Sequence, residues 1–292
     1  MAERVAVTVV VPTIGRPQML ARLLHSLAAG AVQPAEVLVC DQSGARETRA
    51  LCDGYAPLTA RWIDGGPPGI ARAMNTGLRA ARHELVLITN DDITVAADWV
   101  ERVHSYLLAD PSSLVTGRVL AGGDDDPSRV PSTMLYAHPR DFTKPQPWGL
   151  FPGNAGGART PLLELGGFDE RDAFGVAAED NDLAWRWLRT GRTIRYRPEL
   201  MVWHHDWRTD SEIVDRYREY GRGQGALYAK HLRTGDLRIA PWLVRDVARG
   251  LRAQAGRYIK RRAPHTDWRQ GLFPGVLVGF VRGATPHPRR GD

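Results

Sequence analysis

One short stretch constrains the fold of this 292-residue chain more than any other: an apolar run that stops at two adjacent carboxylates. The run is Leu85–Thr89, and Asn90-Asp91-Asp92 follow it directly. Coming after the helix-like segment Ile70–Arg82, a run of this length predicts a buried strand of a parallel sheet. Ligands of open α/β sheets bind beyond the carboxyl ends of the strands. Asp91 and Asp92 therefore suit a hard divalent cation, Mg²⁺ or Mn²⁺.

The same two aspartates have a simpler interpretation as the cap of the next helix. The spacing of Trp99, Val103 and Tyr106 predicts that helix, and Asp is a favoured residue at a helix N-cap. Taken alone, the stretch leaves the metal site and the helix cap as alternatives.

Strands and helices alternate around the acidic pair. Val5–Val11 and Glu36–Cys40 are apolar runs that predict buried strands, and Arg61–Ile63 fits a third. Pro17 suits the first turn of a helix, and leucines recur after it at helical spacing. This alternation predicts an α/β fold with a doubly wound, mostly parallel central sheet flanked by helices.

Acidic residues follow three separate segments of this pattern. Asp41 ends the second strand, Asp91 and Asp92 end the later one, and Glu179 and Asp180 open a predicted helix. A lone acid in such a place is usually a turn or cap residue. Three groups in one α/β domain favour a shared site at the end of the sheet.

A nucleoside diphosphate sugar would use such a set of residues. Asp41 and Gln42 are candidates for reading the base and ribose, and a cation on the Asp91–Asp92 pair would neutralise the diphosphate. Arg16 and Arg72 are candidates for bidentate phosphate contacts.

The acceptor hydroxyl needs a base, for which Glu179 and Asp180 are candidates. His204 or His205 is a candidate for a further metal ligand, the alternative being a histidine at a strand end whose ring is hydrogen-bonded.

Three features in the middle of the chain have open interpretations. Gly153–Gly157 predicts either a close backbone approach to substrate or a turn. The Gly-, Pro- and Asp-rich stretch 121–147 predicts a lid, in which Asp124–Asp126 form a solvated turn. Some of the tryptophans are candidates for stacking on sugars, among Trp148, Trp185, Trp187, Trp203 and Trp207. For Trp187, four residues after Leu183, the spacing favours a packed helix face.

The basic charge is concentrated at the end of the chain. Residues 245–292 hold 11 Lys and Arg against 3 Asp and Glu, although the whole chain carries only +6. This excess points to an anionic partner, a membrane surface or nucleic acid, but no nucleic-acid-binding motif is recognisable in the tail. The apolar run Leu272–Val281 is too short to span a bilayer and suits the membrane interface, the alternative being a packed helix. Cys40 and Cys52 suggest a reducing compartment, and the first residues are not expected to form a signal peptide.

The order of the motifs resembles the family 2 glycosyltransferases of the GT-A fold. Each motif is weak alone, and the resemblance covers residues 5 to about 206. The motifs that carry it are Val9-Val10-Val11-Pro12-Thr13, Val39-Cys40-Asp41-Gln42-Ser43, Gly69-Ile70-Ala71-Arg72-Ala73-Met74-Asn75-Thr76-Gly77, Asn90-Asp91-Asp92, Gly166-Gly167-Phe168-Asp169-Glu170, Glu179-Asp180-Asn181-Asp182-Leu183-Ala184-Trp185-Arg186 and Val202-Trp203-His204-His205.

The resemblance implies an inverting, metal-dependent transfer of a sugar from a nucleoside diphosphate donor. It assigns the metal, Mg²⁺ or Mn²⁺, to Asp92 first, then to Asp91, with His204 as a further ligand. It makes Asp180 the catalytic base, beside Glu179. Asn90 departs from the commoner Asp-x-Asp pattern. The donor-binding candidates are Pro12, Thr13, Arg16, Asp41, Gln42, Arg72, Asn75 and Asp91.

The sequence thus predicts a catalytic domain over residues 1–208 and a helical, basic extension over residues 209–292. The expected donor is a UDP-, dTDP- or GDP-sugar, and the expected acceptor is a glycan, a lipid-linked or a small-molecule hydroxyl, as in cell envelope polysaccharide biosynthesis. The expected location is the cytoplasm or the inner face of the cell membrane. The alternatives are a sugar-nucleotide nucleotidyltransferase and a non-catalytic nucleotide-sugar-binding protein of the same fold.

Overall fold

The structure is a computed structural model that describes residues 3–122, 133–171, 177–205, 210–260 and 272–284. The chain divides into two compact units. The first contains residues 1–168 and 183–207, and the second contains residues 169–182 and 208–292. The sequence-based division at residue 208 did not separate residues 169–182 from the first domain.

A mixed sheet is the centre of the first unit. Its strands run in the order β3-β2-β1-β4-β8-β6-β9-β5, and β7 also pairs with β9. The β1–β2, β2–β3, β1–β4 and β6–β9 pairs are parallel, and the others are antiparallel. The strands are β1 Glu3–Thr13, β2 Val32–Asp41, β3 Ala60–Asp64, β4 Leu85–Ile88, β5 Ile93–Val95, β6 Leu114–Ala121, β7 Arg140–Phe142, β8 Ala155–Ala158 and β9 Ile194–His204.

Helices cover both faces of this sheet, which confirms the doubly wound α/β prediction. Val7, Val9 and Val11 of β1 join the core cluster on one face, and Val10 joins the cluster on the other. This alternation places α1 and α4 over the first face and α3 and α6 over the second. The helices of the chain are α1 Pro17–Ala28, α2 Arg46–Gly54, α3 Ile70–Ala80, α4 Trp99–Ala109, α5 Arg159–Glu164, α6 Glu179–Arg189, α7 Asp210–Arg233, α8 Ala240–Lys260 and α9 Leu272–Ala284.

The glycine-rich segment Gly153–Gly157 begins in a single 3-10 turn, Pro152–Asn154, and continues as a strand in the middle of the sheet, so its interpretation as merely a turn is wrong from Ala155 onward. β8 pairs with β4 on one side and β6 on the other. Gly156 and Gly157 lie too close to their neighbours for a side chain: an added Cβ on Gly156 would lie 2.7 Å from Val103 Cγ1. The strand therefore needs glycine despite its low β-propensity.

Both cysteines of the chain are buried and reduced. Cys40 lies in β2 and Cys52 in α2. Burial raises the pKa of each thiol to about 12, so neither is a nucleophile at neutral pH.

The second unit is helical, and glycines allow two of its helices to pack very closely. α7 and α9 meet through glycines spaced four residues apart on each helix. This small-residue spacing lets the two backbones come into contact. The glycines are Gly221 and Gly225 of α7 and Gly275, Gly279 and Gly283 of α9. No helix in the described residues combines the length and the apolar character that a bilayer-spanning segment needs.

Candidate active site

The Asp91–Asp92 pair lies where β4 ends, beside the carboxyl end of β1. Pro12 is buried in β1, and Thr13, the last residue of that strand, donates from Oγ1 to Asp91 Oδ2 over 2.6 Å. Arg16, in the turn after β1, places Nη2 2.6 Å from Asp91 Oδ1 and Nη1 3.2 Å from Asp92 Oδ2. Burial, and then the Asp92 carboxylate, raise the pKa of Asp91, whereas Arg16 and Thr13 lower it. Arg16 thus supplies the positive charge that two adjacent buried acids need.

Neither aspartate caps a helix, so the helix-cap interpretation is wrong. The strand β5 follows the pair directly, and α4 begins only at Trp99. Asp98 occupies the cap position of α4.

The two histidines at the end of β9 have different surroundings. His204 Nε2 lies 3.7 Å from Asp92 Oδ1. The ring of His205 instead lies between Arg22 Nη2 and Thr94 Oγ1, each 2.9 Å from one of its nitrogens. Because Arg can only donate, Nδ1 of His205 accepts and Nε2 donates to Thr94. The geometry therefore favours His204 over His205 for the metal.

The residues present fit a hard divalent cation. Asn90 Oδ1 is buried and accepts no hydrogen bond from the described part of the chain. Two residues later, the carboxylate of Asp92 faces His204. No three His, Cys, Asp or Glu side chains within the described ranges form a metal-binding group. Mg²⁺ typically takes one or two carboxylates and completes its shell with water and substrate phosphates. The donor set therefore suits an ion shared with a bound diphosphate.

Asp41 is a buried acceptor at the end of β2, in register with Thr13 of β1. Its Oδ1 accepts from the Ser43 backbone N–H and hydroxyl over 2.9 and 2.6 Å. Its Oδ2 accepts from Trp62 Nε1 over 3.2 Å. Trp62 was not among the predicted site residues. Its position near the carboxyl end of β3, the strand that pairs with β2, could have indicated that it lies close to Asp41.

Gln42 holds the loop that precedes α3. Its Nε2 donates to the carbonyl groups of Gly65, Pro67 and Gly69 over 2.7 to 3.1 Å, and its Oε1 accepts from the Gly69 N–H. Arg72, in the first turn of α3, donates from Nη1 to Pro68 O over 2.9 Å. These side chains shape the loop, and their direct contact with a donor stays a prediction.

Asn75 links α3 to the Gly-Gly-Phe motif. Its Nδ2 donates to Phe168 O over 2.8 Å, and its Oδ1 accepts from Phe168 N over 2.9 Å. Gly167 has φ +64°, and a side chain there would overlap the Asn75 amide. The buried amide of Asn75 therefore fixes this turn of the first unit.

The predicted base residues belong to the second unit. Glu179 and Asp180 open α6, and Ala178 before them has φ +70°, which is uncommon for a residue other than glycine. Burial raises the pKa of both carboxyls. Glu179 is buried, whereas Asp180 is partly exposed, and its Oδ1 accepts from Asn181 N over 2.7 Å. Of the two residues, Asp180 is therefore the more accessible from outside the protein.

The remaining predictions concern the aromatic residues and the long loop. Trp187 is fully buried and donates from Nε1 to Thr193 O over 3.0 Å, which confirms its place in a packed helix face. Trp148 and Trp203 are partly exposed, whereas Trp185 is buried. Asp124–Asp126 and Trp207 lie outside the described residues.

A comparison with known families decides the identity of this site. The model of the family described as "Glycosyl transferase family 2" matches residues 8–166, more than half of the chain. The chain belongs to glycosyl transferase family 2. The match includes Thr13, Arg16 and the Asp91–Asp92 pair and ends before Glu179.

Two curated relatives are also named as glycosyltransferases. The chain is 28% identical over 265 residues to the pre-mycofactocin glycosyltransferase of two strains of Mycobacterium tuberculosis. This alignment covers 84% of the chain and 53% of each relative, so the chain spans about half their length.

Solved structures of glycosyltransferases share the fold. The mannosyltransferase PcManGT from Pyrobaculum calidifontis, in complex with GDP-Man and Mn²⁺, matches with a TM-score of 0.62 at 19% identity, covering 95% of this chain and 86% of that one. TarS residues 1–349 from S. aureus, in complex with UDP-GlcNAc, match with a TM-score of 0.57 at 16% identity, covering 74% and 66%. The fold of this family 2 member is the predicted GT-A fold.

Proposed function

We propose that the chain is an inverting, metal-dependent glycosyltransferase that moves a sugar from a nucleoside diphosphate donor to a hydroxyl group. The observation that carries the proposal is the buried pair Asp91–Asp92, with Thr13 and Arg16 on one side and His204 on the other. Asp91 is engaged by Thr13 and Arg16, whereas Asp92 also faces His204, so Asp92 is the acid that better suits a metal ion.

The donor would lie along the carboxyl ends of the parallel strands. We assign Asp41 to the nucleoside. We assign Arg16 and Arg72 to the diphosphate, because one guanidinium group can donate to two phosphate oxygens at once. Gln42 and Asn75 would act through the loops that their amides hold. Pro12 would contribute through its buried position in β1, and Asp91 by orienting Arg16.

Asp92 and His204 would hold the ion, Mg²⁺ or Mn²⁺, with Asp91 as the second acid. Such an ion neutralises the charge that builds up on a departing diphosphate. The structures of PcManGT and of another similar glycosyltransferase, GalNAc-T7, both contain Mn²⁺, which supports this assignment.

Asp180 would take the proton of the acceptor hydroxyl as its oxygen attacks the anomeric carbon. The sugar–phosphate bond breaks on the opposite face, so one displacement inverts the centre and no covalent enzyme intermediate forms. A carboxyl with a raised pKa suits this role, because a base works best when its pKa approaches the working pH.

The first test is a thermal-shift screen with UDP-, GDP- and dTDP-sugars, with and without Mn²⁺. A ligand that binds only the native state at 100 times its Kd stabilises that state by about 2.7 kcal/mol, so the correct donor with Mn²⁺ should raise the Tm by several degrees. Asp92→Asn should remove the metal-dependent part of this shift.

Asp53→Asn is the matched control, because Asp53 is an exposed acid of α2 whose only close cation is Arg49 among the described residues. An Asp92→Asn protein with the full Mn²⁺-dependent shift would contradict the metal assignment, as would wild-type transfer that chelator leaves unchanged.

The second unit supports a peripheral contact with an anionic membrane on the cytoplasmic side. α9 turns its glycines toward α7 and leaves Leu277, Val278 and Val281 exposed, with fractional exposures of 47%, 41% and 67%. On α8, Val244 and Leu251 are exposed beside basic residues. Apolar side chains flanked by Lys and Arg are typical of helices that lie in a membrane interface. A lipid-linked acceptor, as in cell envelope polysaccharide synthesis, would be reached from such a position.

Flotation with vesicles should detect this contact. Wild-type protein should float with vesicles that contain phosphatidylglycerol, and less at high salt, because attraction to anionic lipid is screened. Leu277→Ser/Val281→Ser should lower the bound fraction severalfold. Leu108→Ser is the control, since Leu108 is an exposed leucine of α4, in the other unit. Wild-type protein that stays with the aqueous fraction at low salt would refute the membrane contact.

A further inference from the structure

Lys230 of α7 joins the buried carboxylate of Asp182 to the partly buried carboxylate of Asp169, and these two residues flank the base residues in the sequence. Its Nζ lies 2.7 Å from Asp169 Oδ2 and 2.6 Å from Asp182 Oδ1. Asp182 follows Asp180 in the first turn of α6. One ammonium group thus ties the start of the helix that carries the proposed base to a second point of the same unit.

Burial makes this link strong. The Asp182 side chain is fully buried, and that of Lys230 is 17% exposed. His231 adds a second contact, with Nε2 2.9 Å from Asp182 Oδ1, and Arg171 pairs with Asp169 over 2.5 Å. Lys230 is therefore the cation that the two carboxylates share, and its loss would remove one positive charge from both of them, which destabilises a buried ion-pair network.

The same helix α7 also holds the residues next to the base. Gly223 has no room for a side chain, because an added Cβ would overlap the Ala177 carbonyl. Gln224 Oε1 accepts from Asn181 Nδ2 over 2.9 Å. Gly223 and Gln224 precede Lys230 and His231 by seven residues, about two helical turns, so all four lie on one face of α7. This face of α7 thus contacts residues that precede the Glu179–Asp180 pair in the sequence and residues that follow it.

We infer that Lys230 is a positioning residue for the proposed base, and that α7 holds Asp180 in its reactive place through the Lys230–Asp182 contact and the close approach at Gly223. The inference rests on the proposed function of Asp180. It gives helix α7 a part in the transfer step, beyond any contact of the second unit with a membrane. Lys230 itself need not touch substrate.

The test compares four full-length proteins: wild type, Lys230→Met, Asp180→Asn and the double variant. Lys230→Met should lower kcat about 10- to 100-fold, because a displacement of about 1 Å of a catalytic group costs about 10²-fold. The donor KM should stay within a factor of two. In the Asp180→Asn background, Lys230→Met should cause little further loss, because two residues that act through one group are not additive. Lys230→Arg should recover most of the rate.

Hydrogen–deuterium exchange provides a readout that does not depend on activity. Lys230→Met should speed exchange in peptides that cover residues 177–182 and leave β1 and β4 unchanged. Arg218→Met is the matched control, because Arg218 forms an exposed ion pair with Asp215 on the same helix. If Lys230→Met does not fold, Gly223→Ala replaces it, with the same fall in kcat and the same local increase in exchange expected.

The outcomes separate the two proposals. Normal turnover of Asp180→Asn would overturn the base itself. A loss of activity in Asp180→Asn together with normal kcat in Lys230→Met would overturn only the positioning role. An equal fall in kcat on both backgrounds would show that Lys230 merely stabilises the fold.

Discussion

Replacing Asp180 by asparagine is expected to lower kcat by about 10²- to 10⁴-fold, the usual contribution of a general base, with donor binding nearly unchanged. Asparagine keeps the size of the side chain and its acceptor for Asn181 N but cannot take a proton. The residues proposed to bind the donor lie on other elements, so the donor-dependent Tm shift should remain. A radiolabelled transfer assay and the thermal-shift assay measure the two effects on the same sample.

The pH dependence provides an independent check. Burial raises the pKa of Asp180, and a base is active only when deprotonated. The wild-type kcat/KM should therefore rise with pH through a value above the ordinary carboxyl range, and Asp180→Asn should lose this limb.

The stability of Asp180→Asn should change in the direction opposite to its activity. Because the folded-state pKa of Asp180 lies above its unfolded value, the unfolded state gains stability relative to the folded one as pH rises between those two values. At neutral pH the charged Asp180 is therefore a cost to the fold, and Asp180→Asn should raise the Tm. A variant that loses activity together with several degrees of Tm would instead indicate a structural role.

Replacing Asn154 by alanine is expected to lower the free energy of unfolding by about 3–5 kcal/mol. Asn154 is buried and makes three side-chain hydrogen bonds: Nδ2 donates to Leu200 O and Arg118 O over 2.8 and 3.2 Å, and Oδ1 accepts from Trp99 Nε1 over 2.8 Å. The register of β6 on β9 shifts between Gly117 and Arg118, so the amide supplies donors to carbonyl groups beside an irregularity of the ladder. Each group left unsatisfied costs about 1–3 kcal/mol.

Urea unfolding followed by circular dichroism measures this loss. Trp99→Phe keeps an aromatic ring but removes the indole N–H, so the double variant Asn154→Ala/Trp99→Phe should cost less than the sum of the single changes. A cost below about 1 kcal/mol for Asn154→Ala would mean that water replaces the amide.

The sequence predicted those parts of the fold whose signals are local. β1, β2 and β4 are apolar runs that stop at polar turns, and each was expected within a few residues of its bounds. β8 was missed because its glycines are required by packing: a Cβ on Gly156 would meet Val103 of α4, and a Cβ on Gly157 would meet Leu114 of β6. Only the packed structure reveals these contacts.

In the candidate site, too, some residues could be predicted from local signals and others could not. The acidic pair and its neighbour Arg16 could be predicted from residue type and place. The roles of Gln42 and Asn75 depend on where their amides point, and residue type does not specify direction. Lys230 lies 48 residues beyond Asp182, and nothing in the spacing of the chain marks that contact.

The burial of both cysteines makes the native protein a ready background for site-specific labelling. Thiol reagents attack the thiolate, and Cys40 and Cys52 are both buried with a pKa of about 12. A cysteine introduced at the exposed position of Val281 would therefore react alone, without prior removal of the native thiols. An environment-sensitive dye attached there would follow the encounter of α9 with a lipid surface in real time.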